Sequence, residues 1–270
     1  MKALGAASRI AALGASAMWT ACASQPSSAR RVDGGPPGGT VGLDAQAIAD
    51  GSAAHDTGGG LPDGALVFDL GADFSFARNP NGVWRYGYTR GAEPAVDQVA
   101  LDTFVPDSGG DPVAFWHPYE TAIVGAGYYP YVAENAGDVA VSEEASWAVR
   151  AQEVAMEGSN SGQYSVVQFV APRAGTYQVH AHFEGIHFRL STTDVHVLAG
   201  DAGIFAASID GYGGDPAFHA IEGGNPAADY DGAVPLQVGD LVTFAIGYGS
   251  NETNYNDTTG LTARIVFTGD

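Results

Sequence analysis

From about Asp63 to Asp270 apolar and polar positions alternate with a period of two, in short runs broken by Gly, Asn, Asp and Pro. In Tyr177–Phe183, the residues Tyr177, Val179, Ala181 and Phe183 fall on one face, and Gln178, His180 and His182 on the other. In Val242–Tyr248, Val242, Phe244, Ile246 and Tyr248 face away from Thr243, Ala245 and Gly247. Further strands are predicted over Ala65–Asp69, Val83–Thr89, Tyr164–Val170, Thr193–Leu198, Ile204–Ile209 and Leu261–Phe267. Many short alternating strands with frequent turn signals predict an all-β, jelly-roll-like β-sandwich occupying residues 63–270 as one domain. Ser142–Met156 is the one stretch whose spacing predicts a helix, and Asp229-Tyr230-Asp231-Gly232 reads as a turn. Gly109-Gly110-Asp111-Pro112 and Gly213-Gly214-Asp215-Pro216 read as two similar turns, not as a repeat.

The residues before this domain carry a different pattern. Met1 to Cys22 holds Lys2 and Arg9, then a small apolar run from Ile10 to Trp19, then Thr20-Ala21-Cys22. A positive start, a short apolar stretch and small residues before a cut predict a secretory signal peptide. A cysteine directly after the cut predicts lipidation at Cys22 and an extracytoplasmic lipoprotein of the outer membrane or cell surface; the alternative is a secreted or periplasmic protein. Residues 23–62, with Gly34-Gly35-Pro36-Pro37-Gly38-Gly39 and Gly58-Gly59-Gly60, predict a flexible tether, because such a composition buries too little apolar surface to offset its ordering entropy.

Charge narrows the chemistry. The chain has 11 basic and 31 acidic residues and a net charge of −20, which becomes −22 once Lys2 and Arg9 leave with the signal. Such a surface repels phosphate, so nucleic acid and anionic lipid headgroups are poor partners, and the membrane is reached only through the lipid. After Lys2 the sequence contains no lysine, which excludes Schiff-base and P-loop chemistry. With a single cysteine the domain has no internal disulfide and holds together by core burial, with a structural calcium ion as a candidate aid.

Asp73-Phe74-Ser75 and Asn79-Pro80-Asn81-Gly82-Val83-Trp84-Arg85-Tyr86-Gly87-Tyr88 open the domain. Ala171-Pro172, Ala174-Gly175-Thr176-Tyr177 and Thr192-Thr193-Asp194-Val195-His196-Val197 follow. Gly247-Tyr248-Gly249-Ser250-Asn251 and Asn256-Asp257-Thr258-Thr259-Gly260-Leu261 close it. Together these blocks resemble an uncharacterised β-sandwich domain of exported bacterial proteins, found beside PEP-CTERM sorting signals or carbohydrate-active modules. The resemblance spans roughly Asp69 to Ile265 and implies a jelly-roll-like fold in an extracytoplasmic, glycan-related setting, with no catalytic residues to carry over. This chain has Met156-Glu157-Gly158 where that domain tends to have His-Pro-Gly, and His180 and His182 are peculiar to it.

Candidate sites follow from side-chain chemistry. Sugar rings stack their apolar faces on aromatic planes, so Trp84, Tyr86, Tyr88, Trp116, Tyr128, Tyr129 and Tyr131 are candidates for glycan binding; the first three equally suit a sandwich core. Asp69, Asp73, Asn256 and Asp257 are metal candidates, because first and last strands of a jelly roll are neighbours and calcium takes six to eight oxygens. They equally suit turns. His180 and His182 share a strand face near His187 and His196, but Glu184 stands too close behind for a cupin metal site, which leaves a solvated polar face. Gly158-Ser159-Asn160-Ser161-Gly162 has asparagine where a nucleophile elbow needs serine. Glu184, Asp194, Asp210 and Glu222 are the carboxylates from which a hydrolytic pair would come. The sequence thus favours a non-catalytic binding module for a polysaccharide or cell-surface glycan. A structural or adhesive envelope protein is the alternative, and a metal-dependent or hydrolytic enzyme a weaker one.

Overall fold

The computed structural model describes residues 66–105, 112–118, 129–143, 146–190 and 192–269. The signal, the lipidation site Cys22 and the tether lie outside the described residues, as does Tyr128. The first strands are β1 (Val67–Asp69), β2 (Trp84–Thr89), β3 (Gln98–Ala100), β4 (Thr103–Val105), β5 (Val113–His117) and β6 (Tyr131–Asn135). Next come β7 (Val141–Glu143), β8 (Trp147–Val149), β9 (Val154–Glu157), β10 (Ser165–Val170), β11 (Gly175–Gly185) and β12 (Thr192–Ala199). The last are β13 (Ala202–Tyr212), β14 (Glu222–Asn225), β15 (Ala227–Leu236), β16 (Leu241–Gly247) and β17 (Thr259–Gly269).

The strands form two antiparallel sheets and one hairpin. The first sheet runs β15-β11-β17-β9-β6-β5-β4, with β1 also paired to β17; the second runs β14-β13-β12-β16-β10-β2-β3; β7 and β8 pair with each other. Strands β9, β17, β11 and β15 lie side by side in one sheet and β10, β16, β12 and β13 in the other. That interleaving of successive strands is the eight-stranded jelly roll. Strands β6-β5-β4 lengthen the first sheet and β2-β3 the second.

The alternation read from the sequence decides which side chains enter the core. Trp84, Tyr86, Val167, Phe169, Tyr177, Val179, Phe183, Val195, Val197, Val242, Phe244, Ile246, Leu261 and Ile265 fill the space between the sheets. A second cluster covers the outer face of the first sheet, where Trp147 and Val149 of the hairpin meet Val113, Tyr131, Ala133, Ala155 and Ile186. Strand β9 is therefore buried on both faces, with Val154 and Met156 against the main core and Ala155 against the outer cluster. This corrects the helix predicted over Ser142–Met156, which is β7, β8 and β9. Strands covered on both sides lose their alternation, and continuous apolar spacing then resembles a helix. The turn predicted at Asp229–Gly232 is also corrected: these residues belong to β15, with Asp229 opposite His182 and Asp231 opposite His180. Aspartates suit this strand because it edges the sheet and turns them to solvent.

Glu134 points among the core residues and its Oε2 is buried with no hydrogen-bond partner among the described residues. Burial pushes Glu134 up to about 8, Glu157 up to about 8 and Glu153 up to about 6. Each holds its proton more tightly folded than unfolded. Their contribution is therefore full below the ordinary glutamate value and is lost as pH rises through about 6 and then about 8. We expect the melting midpoint to fall between about pH 5 and about pH 8, and Glu134→Gln to flatten that decline. Thermal denaturation across this range checks it, and a midpoint that rises with pH overturns it.

Candidate functional site

The outward face of the second sheet mixes larger side chains with small ones such as Gly87, Ala245 and Gly247, and one row across it carries the candidate site. The register sets Thr89 of β2 beside Tyr164, Gly247 of β16 beside Asp194 of β12, and Asp194 beside Ser208 of β13. Tyr164 precedes β10, whose Ser165 lies opposite Ile246, so Tyr164 flanks Gly247 from the other side. Glycine is required in the middle: a Cβ on Gly247 would stand 2.5 Å from Asp194 Oδ1 and 2.5 Å from Tyr164 Cε1. The two side chains lean over the glycine and meet, Tyr164 OH donating to Asp194 Oδ2.

Two further donors complete the carboxylate's shell. His196 Nε2 lies 2.8 Å from Asp194 Oδ2 and donates to it, and Gly249 N donates to Oδ1 at 2.9 Å. A carboxylate only accepts, so the proton sits on Nε2 of His196. Gly249 adopts φ 66, and a Cβ there would stand 2.6 Å from the Thr192 carbonyl oxygen, so only glycine brings this amide to Asp194. Burial alone would raise the Asp194 carboxyl, but the hydrogen bonds from His196, Tyr164 and Gly249 outweigh it and hold it below the usual aspartate value. Burial first, and then the bond to Asp194, push the Tyr164 hydroxyl well up. At neutral pH the site therefore presents an ionised aspartate and a protonated tyrosine.

Around this pair opens a cleft of about 340 Å³, lined also by Ala92, Glu93, Ser208, Tyr248, Ser250 and Glu252. The β2–β3 loop supplies Ala92 and Glu93, and the turn after β16 supplies Tyr248 to Glu252. Below the cleft, Val96 packs over Val166, Leu198 and Ala245 and seals the sheet. The volume is at the lower end of small-ligand sites, about the size for one or two sugar rings.

The residues singled out in the sequence fall elsewhere. Trp84 and Tyr86 are buried, 1% and 0% exposed, and Tyr88 is half-buried against the same core; this corrects their reading as a binding face. Arg85 faces outward, so period-two geometry turns these three aromatics inward. Trp116 and Tyr131 are likewise buried, Trp116 in the main core and Tyr131 under the hairpin, where the half-buried Tyr129 packs on it. None of these five buried or half-buried rings, nor Tyr129, lines the cleft.

The proposed calcium ligands do not converge, although β1 does neighbour β17. Asp69 pairs with Arg264, and Asp257 lies seven residues earlier along the chain, about 20 Å away at about 3.3 Å per residue. Asp69 and Asp73 close a turn, with Asp73 Oδ2 accepting from Asp69 N and from Trp84 Nε1. Asn256 adopts φ 70 in the opposite loop, and Asp257 is buried near Glu157. Among the described residues no group of three or more His, Cys, Asp or Glu is arranged to hold a metal. His180 and His182 stand on the outer face of the first sheet, each 2.7 Å from an aspartate, Asp231 and Asp229; His196 is on the other sheet. Glu184 and Asp194 likewise belong to different sheets and form no pair.

Sequence reasoning named Asp194 and His196 but missed Tyr164, Tyr248, Glu93 and Glu252. The available signal was the outward face of Tyr164–Val170, where Tyr164 shares a side with Val166 and Gln168.

No protein-family model matches the chain, and no curated protein does. Among solved structures it is similar to a CBM4 structure (11% identity, 63% of this chain and 94% of the other, TM-score 0.25). It is also similar to a family 35 carbohydrate binding module from Clostridium thermocellum (13% identity, 48% and 88%, TM-score 0.26). A third is the K2 cleaved adhesin domain of Lys-gingipain (12% identity, 77% and 100%, TM-score 0.31). Likeness this distant assigns no activity to this chain.

The geometry makes Gly247 and Asp194 interdependent. We expect Asp194→Asn to cost about 1–2 kcal/mol in urea denaturation, since three donors lose a charged acceptor at a partly exposed site. Gly247→Ala separates the same pair and should cost a comparable amount. If both variants unfold at the parent's midpoint, the described network is wrong.

Proposed function

We propose that this chain is a non-catalytic binding module that holds a saccharide in the Tyr164–Asp194 cleft. The observation that carries this reading is the ionised Asp194 carboxylate, fixed by three donors at the mouth of a cleft walled by Tyr164 and Tyr248. Sugar hydroxyls donate to carboxylate oxygens, and the apolar face of a pyranose packs on aromatic rings. An ionised aspartate held by three donors keeps about one of its four acceptor sites for a sugar hydroxyl and is poorly suited to passing a proton on. The signal sequence and Cys22, with the tether after them, would present this cleft on the outside of the cell, bound to the membrane only through lipid. No metal is needed for such a site, and a calcium requirement is tested by adding EDTA.

A single hexose, at about 0.3 kcal/mol per non-hydrogen atom, lands near a millimolar Kd, and a longer oligomer binds more tightly where it reaches further subsites. We expect calorimetric titration of the full chain with neutral and amino oligosaccharides to show binding of this order. Tyr248→Ala should weaken it about fivefold or more, at the magnitude of a lost ring contact. Silence across both sugar sets sinks the saccharide reading and moves the weight to a protein-contact role in the envelope.

A further inference from the structure

We infer that the cleft selects saccharides bearing a free amine, with a glucosamine unit in its ammonium form as the simplest occupant. This rests on the saccharide reading above and names the class of sugar. The charged side chains lining the cleft are Glu93, Asp194 and Glu252, and no arginine or lysine lines it. The nearest cations in sequence are accounted for: Arg90 is exposed and 3.9 Å from Asp97, and His196 is turned onto Asp194. A neutral sugar satisfies Asp194 through a hydroxyl but leaves Glu93 and Glu252 facing it. Glu93 and Glu252 are exposed at the rim, so without a counter-charge the cleft keeps its negative field. An ammonium on the sugar offsets part of that field and supplies three donors to acceptor-only groups. A uronate would add a fourth negative charge. The lining offers Ser208, Ser250 and the tyrosine hydroxyls for the remaining sugar hydroxyls, and the rings of Tyr164 and Tyr248 for the apolar face of the sugar.

The experiment titrates the full chain with N-acetylated glucosamine oligomers, the fully deacetylated oligomers of equal length, and a uronate oligomer, at mildly acidic pH and at two salt concentrations. Two exposed carboxylates, each giving about threefold, predict about tenfold tighter binding of the deacetylated oligomer at low salt, shrinking as salt rises. Because an acidic chain attracts any polycation, two charge-matched double variants decide the location. Glu93→Gln with Glu252→Gln should collapse the difference between the two oligomers. Asp229→Asn with Asp231→Asn, on the other sheet, should leave it in place. Equal affinity for both oligomers overturns the inference and leaves the saccharide reading standing. A preference that survives Glu93→Gln with Glu252→Gln also overturns it, as attraction to the whole surface. Binding of no oligomer, neutral or charged, overturns the saccharide reading and this inference with it.

Discussion

Two antiparallel sheets can form a sandwich only if their inner faces are filled to the density of a solid, and this chain fills them with aromatic rings. Trp84, Tyr86, Phe169 and Tyr177 are almost fully buried. Trp84 and Tyr177 are each set edge-on to Phe169, and Phe74 stacks on Tyr86. Each such side chain contributes about 1.5–3 kcal/mol by leaving water, provided its polar atom finds a partner. The segment before β2 provides several of those partners. Ser75 N donates to Tyr86 OH, Ser75 O accepts from Trp116 Nε1, and Asp73 accepts from Trp84 Nε1. Tyr177 closes its own corner by donating to the Arg173 carbonyl four residues back. The irregular stretch from Asp73 to Asn81 is thus a polar collar around the rings.

What the core takes determines what the outer faces have left. On the first sheet, half of the outer face needs the β7–β8 hairpin because Phe115, Tyr131 and Ala133 project there; the other half carries the solvated pairs His180–Asp231 and His182–Asp229. On the second sheet several outward residues are small: Gly87 and Ala245 flank Val166, Ala245 and Ala206 flank His196, and Gly247 lies beside Asp194. Small residues leave room above the sheet, and the loops at residues 90–97 and 248–254 wall it. The cleft is the space that remains when one sheet keeps its bulk inside.

This division explains which parts of the protein could be read from its sequence. Strands with one wet face, such as β11 and β12, announce themselves by alternation, and they were predicted to within two residues of their observed limits. Strands β5, β6, β8 and β9 lie between two apolar layers, so Val113–His117 and Val154–Glu157 show no alternation to read. The site was less legible because it is a row across strands far apart in the chain. Tyr164, Asp194 and Gly247 become neighbours only through pairing register, which a single sequence does not specify. Aromatic residues drew attention to Trp84, Trp116 and Tyr131, yet large rings go inside where a sandwich has to be filled. The two tyrosines that do line the cleft were hidden among ordinary strand residues.

The sequence blocks Asn79–Tyr88, Thr192–Val197, Gly247–Asn251 and Asn256–Leu261 divide by role along the same lines. Asn79 ties Tyr86 O and Leu101 O together through its amide and takes Tyr86 N in return, and Asn81 donates to Asp73 O; that block stitches strands. Thr258 donates to Glu157, and Thr259 to Thr193; that block does the same at the other end. Thr192–Val197 and Gly247–Asn251 are different, because both converge on the cleft. Gly247 makes space for Asp194, Gly249 supplies an amide to it, and Thr192 lies so close to Gly249 that no other residue fits there. The two blocks act together on Asp194: Gly247 leaves the space its side chain leans into, and Gly249 donates the amide that its Oδ1 accepts. Gly247, Gly249 and Asp194 thus form one unit on the outward face, beside the small cluster of Val166, Leu198 and Ala245: the two glycines fix where the carboxylate sits, and the carboxylate is what the cleft presents.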